Sequence, residues 1–154
     1  MIYRRLTDGM ELPEVMPIRE RRVIDGLIGG RGIPWRLVEI DESQHFNPWR
    51  AMTLRYYPPD ALVAYPITVW KAFSKTGRLS AGGGWAAPRP PLFPMDGGRH
   101  RQRAFRDALA GLLPPLHGFS PTLRLADFEL HSWIWERSAV TKMRTLMEER
   151  LSVE

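Results

Sequence analysis

Short alternating apolar runs set between capped, helix-spaced segments predict an α/β or α+β domain with a small sheet flanked by helices. Three observations carry this prediction. Trp35–Ile40 and Thr122–Leu130 alternate as strands do. Asn47-Pro48 is a capped helix start. Gln102–Leu113 and Ser138–Leu151 repeat apolar residues at helical spacing. A chain of 154 residues is long enough to bury a core without disulfide or metal staples, so one compact domain spanning 1–154 is expected.

Taken in order, the first seventeen residues carry Pro13 and Pro17 and read as irregular. From Ile18 to about Leu27 the positions of Ile18, Val23, Ile24, Leu27 and Ile28 suggest one face of a short helix, broken by Gly29-Gly30-Arg31-Gly32. On the strand that follows, Val38 and Ile40 share one face while Leu37, Glu39 and Asp41 share the other. Neither face is wholly polar, which predicts an interior strand. The helix opened by Asn47 should take in Trp49, Met52, Thr53 and Tyr56 and stop at Pro58-Pro59. A second helix should follow Tyr65-Pro66 through Val69, Trp70 and Phe73.

Residues 74–98 hold six glycines and four prolines, which predicts a long loop of the kind that is functional or laid over the surface. Trp85, Leu92 and Phe93 within it should pack down. Gln102–Leu113 should turn Phe105, Leu109, Leu112 and Leu113 inward and end at Pro114-Pro115. In the last helix Val140, Met143, Leu146, Met147 and Leu151 form the expected inner stripe. No internal repeat and no extended heptad array is present.

Composition narrows the function classes. Cysteine is absent, which excludes disulfides, thiolate metal sites and cysteine nucleophiles. No apolar run approaches the ~18–20 residues of a membrane span, and the first residues lack the apolar core of a secretory signal. A cytoplasmic protein with no membrane partner is therefore expected. The net charge of +5 rests on 19 Arg and only three Lys. Arginine suits phosphate and carboxylate because its planar fork binds them bidentately; DNA or RNA is the expected partner, with a protein partner as the alternative. Gly82-Gly83-Gly84 lacks the ending of a phosphate loop, and no G-x-S-x-G is present.

The densest chemistry lies in Val38-Glu39-Ile40-Asp41-Glu42-Ser43-Gln44-His45. Glu39 and Asp41 point the same way along a strand, roughly 7 Å apart. Two carboxylates on one buried face are costly without a cation beside them. Mg²⁺ or Mn²⁺, which prefer oxygen ligands, is the simplest such partner. Asp25 or Glu20 could complete its shell, Gln44 could orient a bound water, and His45 could move a proton near neutral pH. The alternative is a strand end entering a helix, with polar turn residues and a packed histidine.

A second cluster, Arg99, Arg101, Arg103 and Arg106, stands at a predicted helix start after Gly97-Gly98. It could contact nucleic-acid phosphates, or form a solvated face paired with Asp96 and Asp107. Trp85, between Arg78 and Arg89, is the candidate for base stacking. The other tryptophans are expected as core or loop anchors, and His117 and His131 as structural residues.

The segment Val38–His45 resembles the VELDGxQH strand motif of small nucleases related to the very-short-patch-repair endonucleases, within the PD-(D/E)xK restriction-endonuclease-like superfamily. Gln44-His45-Phe46, Arg50–Pro58 and Gly97–Ala104 are similar instead to an uncharacterised bacterial family, and the likeness spans about residues 37–125. It implies a restriction-endonuclease-like core, with Glu39, Asp41, Gln44 and His45 at a metal-dependent phosphodiesterase site. The chain departs from the pattern: Glu42 replaces the usual Gly, no Pro-Asp precedes, and Asp41 stands where E-x-K carries its lysine. Two function classes follow. One is a metal-dependent nuclease in which loss of Glu39 or Asp41 abolishes activity without unfolding. The other is a non-enzymatic module binding nucleic acid or protein, a degenerate relative included.

Overall fold

The computed structural model describes residues 1–18, 23–79 and 86–153. The elements run α1 (Ile2–Leu6), β1 (Gly26–Gly30), β2 (Ile33–Asp41), α2 (Pro48–Arg55), α3 (Ile67–Thr76), α4 (Gly98–Leu116), β3 (Ser120–Ala126), α5 (Asp127–Leu130) and α6 (Ala139–Leu151). The domain is α+β, and its described strands form one mixed sheet in the order β1-β2-β3. β1 pairs with β2 antiparallel, placing Leu27 opposite Leu37. β2 pairs with β3 parallel, placing Glu39 beside Arg124 and Asp41 beside Ala126. β2 is therefore the interior strand, as its two mixed faces predict.

The helix expected over Ile18–Leu27 is not formed where its residues are described: Gly26–Gly30 is a strand, and Glu20 lies outside the described residues. Val23 and Leu27 are exposed while Ile24 and Ile28 are half-buried, the alternation of a strand rather than one buried helix face. Hairpin pairing with β2 satisfies the backbone instead. Gly29, at φ +151°, lets β1 lie against Trp35, whose Cα a Cβ would approach to 2.9 Å.

Asn47 caps α2 as its sequence position predicts, its Oδ1 accepting from the N–H groups of Trp49 and Arg50 at 3.0 and 3.2 Å. The long helix α4 overruns its expected end, carrying Pro114 and Pro115 inside its last turn. Pro114 has no N–H to offer the carbonyl of Ala110, and the hydroxyl of Thr122 on β3 donates to that oxygen in its place. The expected strand Thr122–Leu130 ends at Ala126, where Glu129 folds back to accept from the Ala126 N–H at 3.2 Å and α5 begins. Leu92 and Phe93 are buried as expected of the long loop, whereas Trp85 lies outside the described residues.

Two apolar clusters flank α4. Tyr3, Leu6, Leu92, Phe93, Ala104 and Phe105 form one. Phe46, Leu54, Tyr57, Tyr65, Trp70, Ala108 and Ala126 form the other. Small residues at 104, 108 and 111 bring the α4 backbone close to its neighbours; a Cβ on Gly111 would stand 2.7 Å from the Tyr57 hydroxyl. Trp70 is a core residue, but Trp35 and Trp135 are exposed, against the expectation that they anchor the core or a loop.

The apolar stripe expected of α6 is weaker than its sequence suggests. Val140 and Leu151 are exposed, and Met143, Leu146 and Met147 are only half-buried. Arginine holds this helix. Arg36 on β2 donates to the carbonyls of Arg150, Leu151 and Val153 at 3.1, 3.5 and 2.8 Å, and Arg150 pairs with Glu129. The guanidinium thus satisfies carbonyls at a helix C-terminus that have no partner within the helix.

Candidate active site

Glu39 and Asp41 do share one face of β2, and both are buried beneath α4, but they are used differently. Glu39 lines an open cleft of about 530 Å³ together with Asp25, Glu42, His45, Arg103 and Asp107. Asp41 lies deeper. Its Oδ1 is paired with the guanidinium of Arg124 and its Oδ2 accepts from the Trp70 indole N–H at 2.7 Å.

Asp107, on α4, closes the network from the other side. Its Oδ2 lies 3.0 Å from His45 Nδ1, and its backbone carbonyl accepts from Arg124 Nη2 at 3.1 Å. His45 Nδ1 also lies 3.5 Å from Asp41 Oδ1. Behind Asp107 stands Arg50, which is fully buried and donates to the hydroxyls of Tyr57 and Tyr65 at 3.3 and 3.5 Å.

The electrostatics follow from this packing. Burial disfavours the imidazolium of His45, but Asp107 and then Asp41 outweigh it, so the His45 pKa is raised above the usual 6.5. Burial likewise works against the charged form of Asp107; His45, Arg50 and Arg124 nevertheless hold its carboxyl well below the usual carboxylate range. Arg124, between two carboxylates, stays charged despite burial. With Nδ1 committed to Asp107, Nε2 is the His45 nitrogen left to exchange a proton with anything in the cleft.

The arginine cluster divides by helical geometry. Arg99, Arg103 and Arg106 fall on one face of α4 and line the cleft. Arg101 falls on the opposite face, where Nη1 donates to the Leu6 carbonyl at 2.6 Å and pairs with Asp8 at 2.8 Å. Its guanidinium also stacks 3.9 Å over the Trp49 ring, so Arg101 holds α1 rather than lining the cleft. Burial draws the Arg103 pKa down, opposed by Asp107 and Glu42 beside it.

Asp25 borders the cleft, its Oδ2 accepting from the Ile40 N–H at 2.8 Å. Gln44 faces away into a neighbouring cleft, its amide donating to the Glu42 carboxylate. Arg124, Arg50 and Trp70 complete the arrangement without having been singled out as site residues, and Asp107, expected only as a partner of the arginines on a solvated face, is buried and braces His45. One signal for Asp107 was present: it is the charged residue on the small-residue face of α4 that also carries Ala104, Ala108 and Gly111.

The carboxylates divide in their fitness for a divalent cation. Asp41, His45 and Asp107 each offer a ligand atom, and these lie within 4.8 Å of one another. Arg124 already lies between the two carboxylates, with Arg50 adding positive charge beside Asp107. A dication among them would take His45 Nδ1 from its hydrogen bond with Asp107 and share Asp41 with the Arg124 guanidinium, adding positive charge beside two buried arginines. Glu39, buried, and Asp25, exposed, both line the cleft instead, which suits Mg²⁺: it keeps several waters and takes one or two carboxylates together with substrate phosphate.

Comparison with protein-family models, with curated proteins and with solved structures finds no match to this chain. Among the described residues, no helix is long and apolar enough to cross a membrane.

Proposed function

We propose that the cleft between β2 and α4 is a phosphodiester-hydrolysing site, making the protein a Mg²⁺- or Mn²⁺-dependent nuclease. The observation that carries this reading is the convergence, on one cleft, of a buried carboxylate (Glu39), a carboxylate-braced histidine (His45) and three arginines on a single helix face (Arg99, Arg103, Arg106). Arginine forks recognise phosphate oxygens and offset charge as it builds on them. Glu39 and Asp25 are the residues that would hold the ion, which when bound lowers the pKa of a water and polarises the phosphoryl group. His45, kept protonated to higher pH by Asp107, would give its Nε2 proton to the leaving oxygen. Asp41 is kept out of the ion's shell in this reading; through Arg124 and Trp70 it fixes the frame behind His45.

The specific placement of Asp41 also supports a second reading. A strand carboxylate committed to Arg124 and Trp70 suits a relative of these nucleases that retains the fold and binds nucleic acid without cutting it. Calorimetry with Mn²⁺, run beside an oligonucleotide cleavage assay, separates the two. Hydrolysis requires metal binding that is lost in Glu39→Ala together with cleavage. A binding module gives oligonucleotide affinity indifferent to chelator and to Glu39.

A further inference from the structure

We propose that the cleft on the other side of the Ser43–His45 turn holds one unstacked nucleobase of a single-stranded substrate whose phosphate lies in the arginine cleft. This deepens the reading above and rests on it. The second cleft has a volume of about 680 Å³, and its residues include Gln44, Phe46, Phe73, Asp127, Phe128 and His131.

The platform is a stacked aromatic pair. The rings of Phe73 and Phe128 lie 3.7 Å apart and 7° from parallel, and Phe46 meets both edge-on. Phe73 ends this stack with 43% of its surface open to solvent. A half-open aromatic side chain braced by two others is costly to leave in water and suited to contact with a flat heterocycle. Gly77 sets the wall: a Cβ there would come within 1.9 Å of the Phe46 carbonyl oxygen, so only glycine lets the end of α3 lie against this turn.

The rim favours a base over an aliphatic or peptide aromatic group. Gln44, one amide N–H given to Glu42, offers its second N–H and its carbonyl oxygen, Asp127 an acceptor, and His131 either, which matches the mixed edge of a nucleobase. Continuity with the phosphate-binding wall gives the second argument. Glu42 and His45 border the arginine cleft while Ser43, Gln44 and Phe46 border the aromatic one, so a single turn separates the two. Bases stacked within a duplex cannot present a face to Phe73 without being extruded, which points to single strands.

The test uses adenosine 5′-monophosphate and ribose 5-phosphate as probes of the whole chain, titrated by calorimetry. The base should tighten binding about tenfold over the sugar phosphate. Phe73→Ala, and Phe73→Leu as the variant that retains apolar bulk, should erase that difference and leave ribose 5-phosphate affinity unchanged. A single-stranded oligonucleotide should outcompete a blunt duplex of the same sequence. Equal affinity of the two probes for the wild type, a difference that survives in Phe73→Leu, or equal binding of duplex and single strand would each overturn the proposal. Failure of the arginine-cleft reading looks different: ribose 5-phosphate affinity would then be indifferent to Arg103→Ala.

Discussion

Arg124 on β3 and Asp41 on β2 form an ion pair whose side chains are 0% and 1% exposed. The pair is held in place from both ends: Trp70 donates to the second Asp41 oxygen at 2.7 Å, and the Asp107 carbonyl accepts from the second Arg124 nitrogen at 3.1 Å. A buried pair of this kind owes its position to desolvated charges that each need the other. The sequence-based expectation that Asp41 could be removed without harm to folding therefore does not follow. Asp41→Ala should cost about 3–5 kcal/mol in chemical denaturation, because it leaves the Trp70 N–H without its acceptor and the buried Arg124 with only the Asp107 carboxylate, 3.7 Å away. Replacing both together, Asp41→Leu with Arg124→Met, should recover part of that loss, the remainder coming from the buried Trp70 N–H that loses its acceptor.

His45 should titrate above 6.5, and the shift should depend on Asp107. A histidine whose folded pKa is raised adds stability that is complete below its unfolded value, about 6.5, and is lost as pH rises through the folded value. The stability gap between wild type and His45→Ala should accordingly narrow as pH climbs above neutrality. Asp107 acts in the opposite window: its depressed pKa adds stability present above about 3.9 and lost only as pH falls towards the folded value. In Asp107→Asn, burial should dominate and bring the His45 pKa down, read directly from its ring protons by NMR titration.

The arginines of α4 should separate into two phenotypes. Arg103→Ala should weaken oligonucleotide binding across sequences and reduce the salt slope by about one, without a large change in stability. Arg101→Ala should leave that binding intact. It should instead destabilise the fold by about 1–3 kcal/mol, because Leu6, Asp8 and Trp49 lose their partner.

What could be read from the sequence was local. Period-two alternation placed Glu39 and Asp41 on one face of an interior strand, and Asn47-Pro48 placed the start of α2, because strand and cap geometry act over a few residues. Helical geometry would also have split the arginines, since at 100° per residue Arg101 stands opposite Arg99, Arg103 and Arg106. The partners of Asp41 were not legible in this way. Arg124 lies 83 positions away and Trp70 29, and only the packing of β3 and α3 brings them to one carboxylate. The β1 hairpin was missed for a related reason: Val23, Ile24 and Leu27 suit a helix face, and only the pairing of Gly26–Gly30 with β2, set by residues beyond the turn, makes this stretch a strand.

Gly77→Ala should destabilise the wall of the aromatic cleft. The added methyl meets backbone, the carbonyl of Phe46, rather than a side chain that can turn away. A loss of about 1–3 kcal/mol is expected, with Phe73 and Phe128 changing environment together, which near-ultraviolet circular dichroism would detect.

Cleavage of a fluorescent single-stranded oligonucleotide in Mn²⁺, wild type against Glu39→Gln, tests the central claim most directly. Hydrolysis by the wild type that a chelator stops and that Glu39→Gln slows by about 10²–10³-fold is the predicted result. Equal rates in the two proteins, or no hydrolysis of single or double strands by a wild type that still binds them, would contradict it.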